Sequence, residues 1–203
     1  MEQKHLATLL AARQTILPKR LVAPGPDAQQ LAALLGAAAH APDHGCLLPW
    51  RLVRVPPAAR AALGAAFAQA LAERDPGATP EQRAQAREKA ERAPLLLLLV
   101  VDGACGDPAI PWDERVLSAG CAVQNILLTA TAQGFGSALT SGKALQSAPL
   151  RTLLGLAPGQ QALCCISIGT VQSRKAARLR PAAADYVVTL VPGKGMQPGW
   201  DNA

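Results

Sequence analysis

Polar groups in this chain gather at four short places, and their types decide which chemistry is open to it. Arg13-Gln14-Thr15 offers a cation, an amide and a hydroxyl. The stretch "APDHGCLLPW", Ala41 to Trp50, packs a carboxylate, an imidazole, a thiol and two prolines into one turn. Thr140-Ser141-Gly142 offers two hydroxyls beside a glycine, and Arg174-Lys175 adds two cations. Each also has a plain structural role: a helix C-terminal cation, a turn histidine, an ordinary turn, a solvated pair. Together they supply cations, hydroxyls and free amides at element ends, a set that suits an anion carrying a planar ring.

Several self-sufficient chemistries are excluded. No Gly-x-Ser-x-Gly elbow is present, and His5 lies in a terminal helix, so a catalytic triad has no frame. "GFGSALTSG" has the spacing of neither a phosphate-binding loop nor a dinucleotide fingerprint. His40 and His44 are four apart, but Pro42 between them prevents a helical ligand pair, and no Cys-x-x-Cys occurs. No metal is expected. If the protein is an enzyme, a bound cofactor carries the reaction.

The elements that must position these groups follow from pattern. A short helix is expected over 3–12. Proline-rich "RQTILPKRLVAPGP" is an extended connector. Asp27 with Gln30 three residues on makes a capping box for a helix to about Ala39. A strand follows at Arg51 to Val55, then a helix to about Arg74. Thr79-Pro80-Glu81 opens another, to about Arg92. "PLLLLLVV" (94–101) reads as a central strand buried on both faces. A fully buried helix is expected from about Trp112 to Gln133, since no residue from Val116 to Gly142 is charged. Its polar punctuation, Gln124 and Asn125 among others, argues against a membrane span. Strands at about 162–170 and 185–190 complete the set, with a short helix at 147–154 and a loose tail from residue 192. The order is that of an α+β fold with a central sheet between helices, in a single domain of residues 1–203 with its core at about 10–190.

Half of the 203 residues are hydrophobic and only 17% are charged, so the chain can bury a large core. Aromatics are 3%, which makes that core aliphatic and alanine-rich, with closely approaching helices. Five cysteines, an odd number with Cys164 and Cys165 adjacent, point to buried thiols in a reducing compartment. With no convincing signal peptide, the cytoplasm is the expected location. The net charge is +6. That is either unremarkable or the mark of an anionic partner. Nucleic acid is the weaker form of that partner, because "SRKAARLR" lacks interleaved aromatics.

Four motifs in order then resemble one family: "RQT…RLVAPGP", "APDHGCLLPW", "SAGCAVQNILLTATAQGFGSALTSG" and "ISIGTVQSRK". They resemble the nitroreductase family, most closely its compact FMN-dependent members, over residues 10–190. The resemblance implies an α+β fold with a mostly antiparallel sheet. It also implies an intertwined homodimer with FMN at the interface, NADH or NADPH as donor, and a nitroaromatic or quinone-like acceptor reduced by a ping-pong cycle. It assigns FMN to Arg13, Gln14, Thr15, His40, His44, Leu139, Thr140, Ser141, Gly142 and Arg174. His44 comes from the other subunit, and protons are delivered by water or by His44. Nicotinamide is assigned to Gln133 and Gly134. Family cations are replaced at Gln14, His40 and Thr140, and the fuller pattern has Asn and Gln where Cys46 and Leu48 stand. Fewer cations imply either a flavin that is harder to reduce or a more selective site, with FMN bound more weakly than in the relatives. Alternatives are a same-fold enzyme that dehalogenates or fragments its substrate, and a non-catalytic flavin carrier.

Overall fold

A computed structural model describes residues 2–199. Its centre is β3, Leu95–Asp102, the continuous apolar run. β3 pairs antiparallel with β2, Trp50–Arg54, on one side and with β5, Gln160–Val171, on the other. β5 also pairs antiparallel with β4, Gly136–Thr140, and with β1, Leu21–Val22. The main sheet is therefore five-stranded and antiparallel throughout.

Both faces of that sheet are covered, which is why β3 shows no alternation. Leu95, Leu97, Leu99 and Val101 pack with Ile166 and Ile168 against α2, Ala28–Ala38, and α5, Trp112–Ala132. Leu96, Leu98 and Val100 face the other way, toward α3, Pro57–Arg74, and α6, Ala148–Leu154. α1, Glu2–Ala12, lies beside α5, and α4, Pro80–Glu88, lies against α3. The α3–α4 approach is close: a Cβ on Gly64 would stand 2.8 Å from the Arg87 backbone carbonyl oxygen. An alanine-rich surface allows that approach.

The two capping boxes form as the sequence dictates. Asp27 Oδ1 accepts from the Gln30 amide at 2.8 Å, and Thr79 Oγ1 accepts from the Gln82 amide at 3.3 Å. α4 ends at Glu88, earlier than its pattern, and a 3-10 turn over Lys89–Glu91 finishes the segment.

Two expectations are corrected. α5 is not buried all round: Leu117, Gly120, Cys121 and Gln124 are exposed on one face, with Leu117 at 68%. The lack of charge on α5 beyond Arg115 therefore reflects an uncharged outer face as well as a core face. Of the tail expected to be loose from residue 192, residues 200–203 lie outside the described residues, and the described part forms a strand. Gly195–Pro198 (β7) pairs antiparallel with Val188–Val191 (β6) in a two-stranded ribbon separate from the main sheet. Gly193 and Gly195, both with positive φ, supply the left-handed backbone that turns the ribbon, and sequence alternation alone does not reveal it.

Candidate functional site

Two adjoining clefts lie on one side of the sheet, and tertiary pairing builds both. Thr15 forms a parallel bridge with Ser137, and the Ile16 amide donates to the Ser137 carbonyl at 2.9 Å. This lays the 13–17 connector beside β4. β1 then pairs with the end of β5, and the Gln172 amide donates to the Arg20 carbonyl at 2.9 Å. The basic segment that leaves β5 is thereby held against residues 13–20.

The first cleft has a volume of about 320 Å³. Arg13, Gln14 and Thr15 line it together with Arg20, Lys175, Arg178 and Arg180. No carboxylate is among its lining residues. Arg180 donates to the Arg13 carbonyl at 3.1 Å, which ties the basic segment to the connector. Five cations around one small volume create a positive potential that no neighbouring anion cancels.

The second cleft, about 590 Å³, shares Leu17 with the first. Thr140, Ser141 and Gly142 form one wall. Leu96, Leu145, Phe67 and Cys165 contribute an apolar floor, and Lys89, Arg92 and Lys143 line it as well. Burial pushes the Cys165 thiol up to about 11, and burial with its neighbour Cys165 pushes Cys164 to about 12. Both remain thiols at neutral pH and act as small core groups.

The structure brings three of the four polar islands of the sequence together and leaves one apart. Neither cleft is lined by His40 or His44. His44 is exposed, and its Nδ1 lies 2.7 Å from Glu114 Oε2 on α5. A carboxylate oxygen only accepts, so Nδ1 carries the hydrogen and Nε2 points free. Gln133 caps α5, and its amide nitrogen donates to the Gln30 carbonyl at 3.2 Å. Gln133 and Gly134 also line neither cleft, and nor does Leu139 on β4. Arg174 is exposed and outside the lining, where Lys175, Arg178 and Arg180 stand instead. The segment has no regular period after β5, so no spacing rule ranks its cations.

Residues that sequence reasoning missed are Lys89, Arg92 and Lys143. They line the same cleft as Thr140, together with Asp75, and Arg92 is ion-paired with Glu88 at 3.3 Å. Lys89 and Arg92 belong to a helix end that reads only as a solvated charged face, Lys143 opens a short 3-10 turn after β4, and nothing local distinguishes them.

The "APDHGCLLPW" turn is held by the Leu48 amide donating to Asp43 Oδ2 at 2.6 Å. Gly45, Cys46 and Leu48 all adopt positive φ, at 64°, 52° and 48°. Asn, which the family pattern has at position 46, tolerates this backbone far better than Cys. Cys46→Asn is therefore expected to raise unfolding stability by about 1 kcal/mol in urea titrations. An unchanged or lowered midpoint would show that the turn relaxes without strain.

Among the described residues, no group of acidic, histidine or cysteine side chains could hold a metal ion. No described helix is long and apolar enough to cross a membrane.

The antiparallel sheet sandwiched by helices is an α+β architecture that nitroreductase-like proteins share. A nitroreductase-like family protein from Bacillus cereus shares this fold with a TM-score of 0.75 at 20% identity, covering 93% of this chain and 96% of that one. A mutant of the FMN and NADPH-dependent nitroreductase NfnB from Sphigopyxis sp. strain HMH gives a TM-score of 0.69 at 21% identity, covering 90% and 97%. The nitroreductase family model matches residues 10–170. A Haemophilus influenzae protein named "Putative NAD(P)H nitroreductase" is 36% identical over 166 residues, 80% of this chain and 86% of that protein. The Escherichia coli K12 protein of the same description, YdjA, is 32% identical over 155 residues, 75% and 82%. The chain belongs to the nitroreductase family and is an oxidoreductase.

Proposed function

We propose that the protein is an FMN-dependent NAD(P)H oxidoreductase acting on nitroaromatic or quinone-like acceptors. The carrying observation is the junction of the two clefts at Leu17. One cleft suits a phosphate and the adjoining one a flat ring, as a single ligand carrying both would need. Arg13, Thr15, Lys175, Arg178 and Arg180 would hold the phosphate, with Gln14 beside them. The hydroxyls of Thr140 and Ser141 and the backbone of Gly142 would border the ring. FMN supplies a two-electron store that a nicotinamide donor fills and an acceptor empties in turn. The protein's own residues anchor the phosphate, keep the ring against an apolar floor and surround it with positive charge. Lys89, Arg92 and Lys143 offset the cations lost at Gln14, His40 and Thr140, so the flavin is less starved of charge than the sequence implies. The relatives named for NAD(P)H or for FMN support this reading.

The acting unit is a homodimer. The uncharged exposed face of α5 and the exposed Leu6 and Leu10 of α1 offer an apolar surface to a second copy. The ribbon adds exposed Leu190 and Met196. His40 and His44, outside both clefts of their own chain, reach a flavin site only from that second copy. Leu117→Glu is expected to convert a dimeric protein to monomer in size-exclusion chromatography with light scattering, since it places a charge in an apolar contact. Wild-type protein that runs as a monomer at micromolar concentration would refute the dimer. Free cysteines and the family together support the cytoplasm as its compartment.

The deciding experiment is anaerobic titration of FMN-loaded protein with NADH and, separately, NADPH, followed by acceptor. Bleaching of the flavin band and its return with a nitroaromatic or quinone are expected. No FMN binding at micromolar protein would refute the proposal. Binding without any oxidation of either nicotinamide would make the protein a carrier.

A further inference from the structure

Arg60 lies in α3, 5% exposed, and carries a charge into the core with no carboxylate within salt-bridge distance among the described residues. Its guanidinium donates only to backbone carbonyls. Nε reaches Val55 O at 3.1 Å, and Nη1 reaches Ala90 O at 2.6 Å and Arg92 O at 3.4 Å. Nη2 reaches Ala93 O at 3.3 Å and Pro94 O at 3.2 Å. Four of these five acceptors belong to one turn, residues 90–94, between the end of α4 and the start of β3. The turn is not a relaxed one, because Ala93 holds φ at 67°. A buried cation satisfied wholly by neutral acceptors is a costly way to close a turn. Lys89 immediately precedes this turn and Arg92 lies within it; both line the second cleft together with Asp75, and the Arg92 guanidinium is already ion-paired with Glu88 Oε1 at 3.3 Å.

We infer that Arg60 is a positioning residue that acts through Lys89, holding the turn that directly follows it so that the Lys89 charge stays at the cleft proposed for the flavin ring. This rests on the FMN reading above. The planar fork matters as much as the charge. Five bonds from three nitrogens fix both the height and the twist of the turn, whereas a lysine ammonium has three donors on a flexible stem. If the fork is lost, the turn that places Lys89 is released and its charge moves toward solvent, while Arg92 keeps its pair with Glu88. Positive charge near the ring then falls, which weakens binding and disfavours the anionic reduced flavin.

The test compares wild type, Arg60→Lys, Arg60→Gln, Lys89→Ala and the Arg60→Lys/Lys89→Ala double variant. Three quantities are read: melting midpoint, FMN dissociation constant by fluorescence quenching, and flavin midpoint potential by dye equilibration. Arg60→Lys is expected to remain folded, to bind FMN about tenfold more weakly and to lower the potential, in the direction of Lys89→Ala. The double variant is expected to fall short of the sum of the two single effects, because both act on one turn. A lowered melting midpoint with unchanged affinity and potential in both Arg60 variants would overturn the inference, leaving a purely structural arginine. So would failure of both variants to fold. Wild-type protein that fails to bind FMN would overturn the FMN reading and this inference together. Wild-type binding with fully additive variants would overturn the inference alone.

Discussion

Arg13→Ala is expected to weaken FMN binding about 30-fold and to leave riboflavin binding unchanged. Arg13 lines the cationic cleft, half-buried, beside Thr15 and three cations of the 175–180 segment. A hydrogen bond to a charged group contributes roughly 1.5–3 kcal/mol, and about 2 kcal/mol corresponds to 30-fold in affinity. The substitution leaves the Arg13 carbonyl in place to receive Arg180, so the connector keeps its tie to the basic segment. Riboflavin lacks the phosphate and reports on the ring cleft alone. Titration of both ligands by quenching of flavin fluorescence separates the contributions. Equal losses for FMN and riboflavin would place the phosphate elsewhere. The FMN effect should also shrink in high salt, because screening weakens exposed charge interactions first.

Arg115→Ala is expected to destabilise the fold by about 4 kcal/mol, the largest stability effect of any single polar substitution considered. Arg115 is 1% exposed on α5. Its Nε donates to Ile110 O at 3.0 Å, Nη1 to Asp102 O at 3.1 Å and Cys105 O at 2.7 Å, and Nη2 to Asp107 O at 2.8 Å. One guanidinium thus holds the whole loop between β3 and α5. Alanine leaves these carbonyls without their partner and opens a cavity where the side chain stood. The loop also supports the histidine turn. A Cβ on Gly45 would touch Ile110, and one on Gly106 would collide with Leu47. Released from Arg115, the loop no longer buttresses the segment that carries His44. Urea unfolding measures the first effect. The exchange rates of the 43–48 amides measure the second. A loss below about 1 kcal/mol would show that water replaces the guanidinium without strain.

Arg60 and Arg115 share a logic that composition hides. Each is a cation counted in the net charge, yet each is buried and committed to backbone carbonyls. The cations that create the positive clefts are a different set, Arg13, Arg20, Lys89, Lys143 and the 175–180 group. No local pattern tells one kind from the other. The hydrophobic period around Arg60 and Arg115 resembles that of any amphipathic helix, and only packing shows which arginine faces inward.

The elements legible in the sequence are those whose form is local. Asp27 and Thr79 cap their helices through bonds three residues away, so their helix starts are legible without any fold. The run 94–101 is apolar at every position because the helix layers cover both faces of β3, and a strand is the one element short enough to carry it. The order of motifs identified the nitroreductase family and with it the α+β architecture.

Tertiary structure alone decided which polar islands meet. Thr15 joins Ser137 across more than a hundred residues of chain, and Thr170 reaches back to the Pro24 carbonyl at 2.7 Å. Those pairings put Arg13 beside Lys175 rather than beside His44, and Lys89 beside Thr140. Caps, strand runs and turns depend on neighbours within a few residues, so the amino-acid order determines them directly. The clefts depend on side chains brought together by strand pairing, a long-range choice in which loop closure is weakly penalised by length and packing selects the partner.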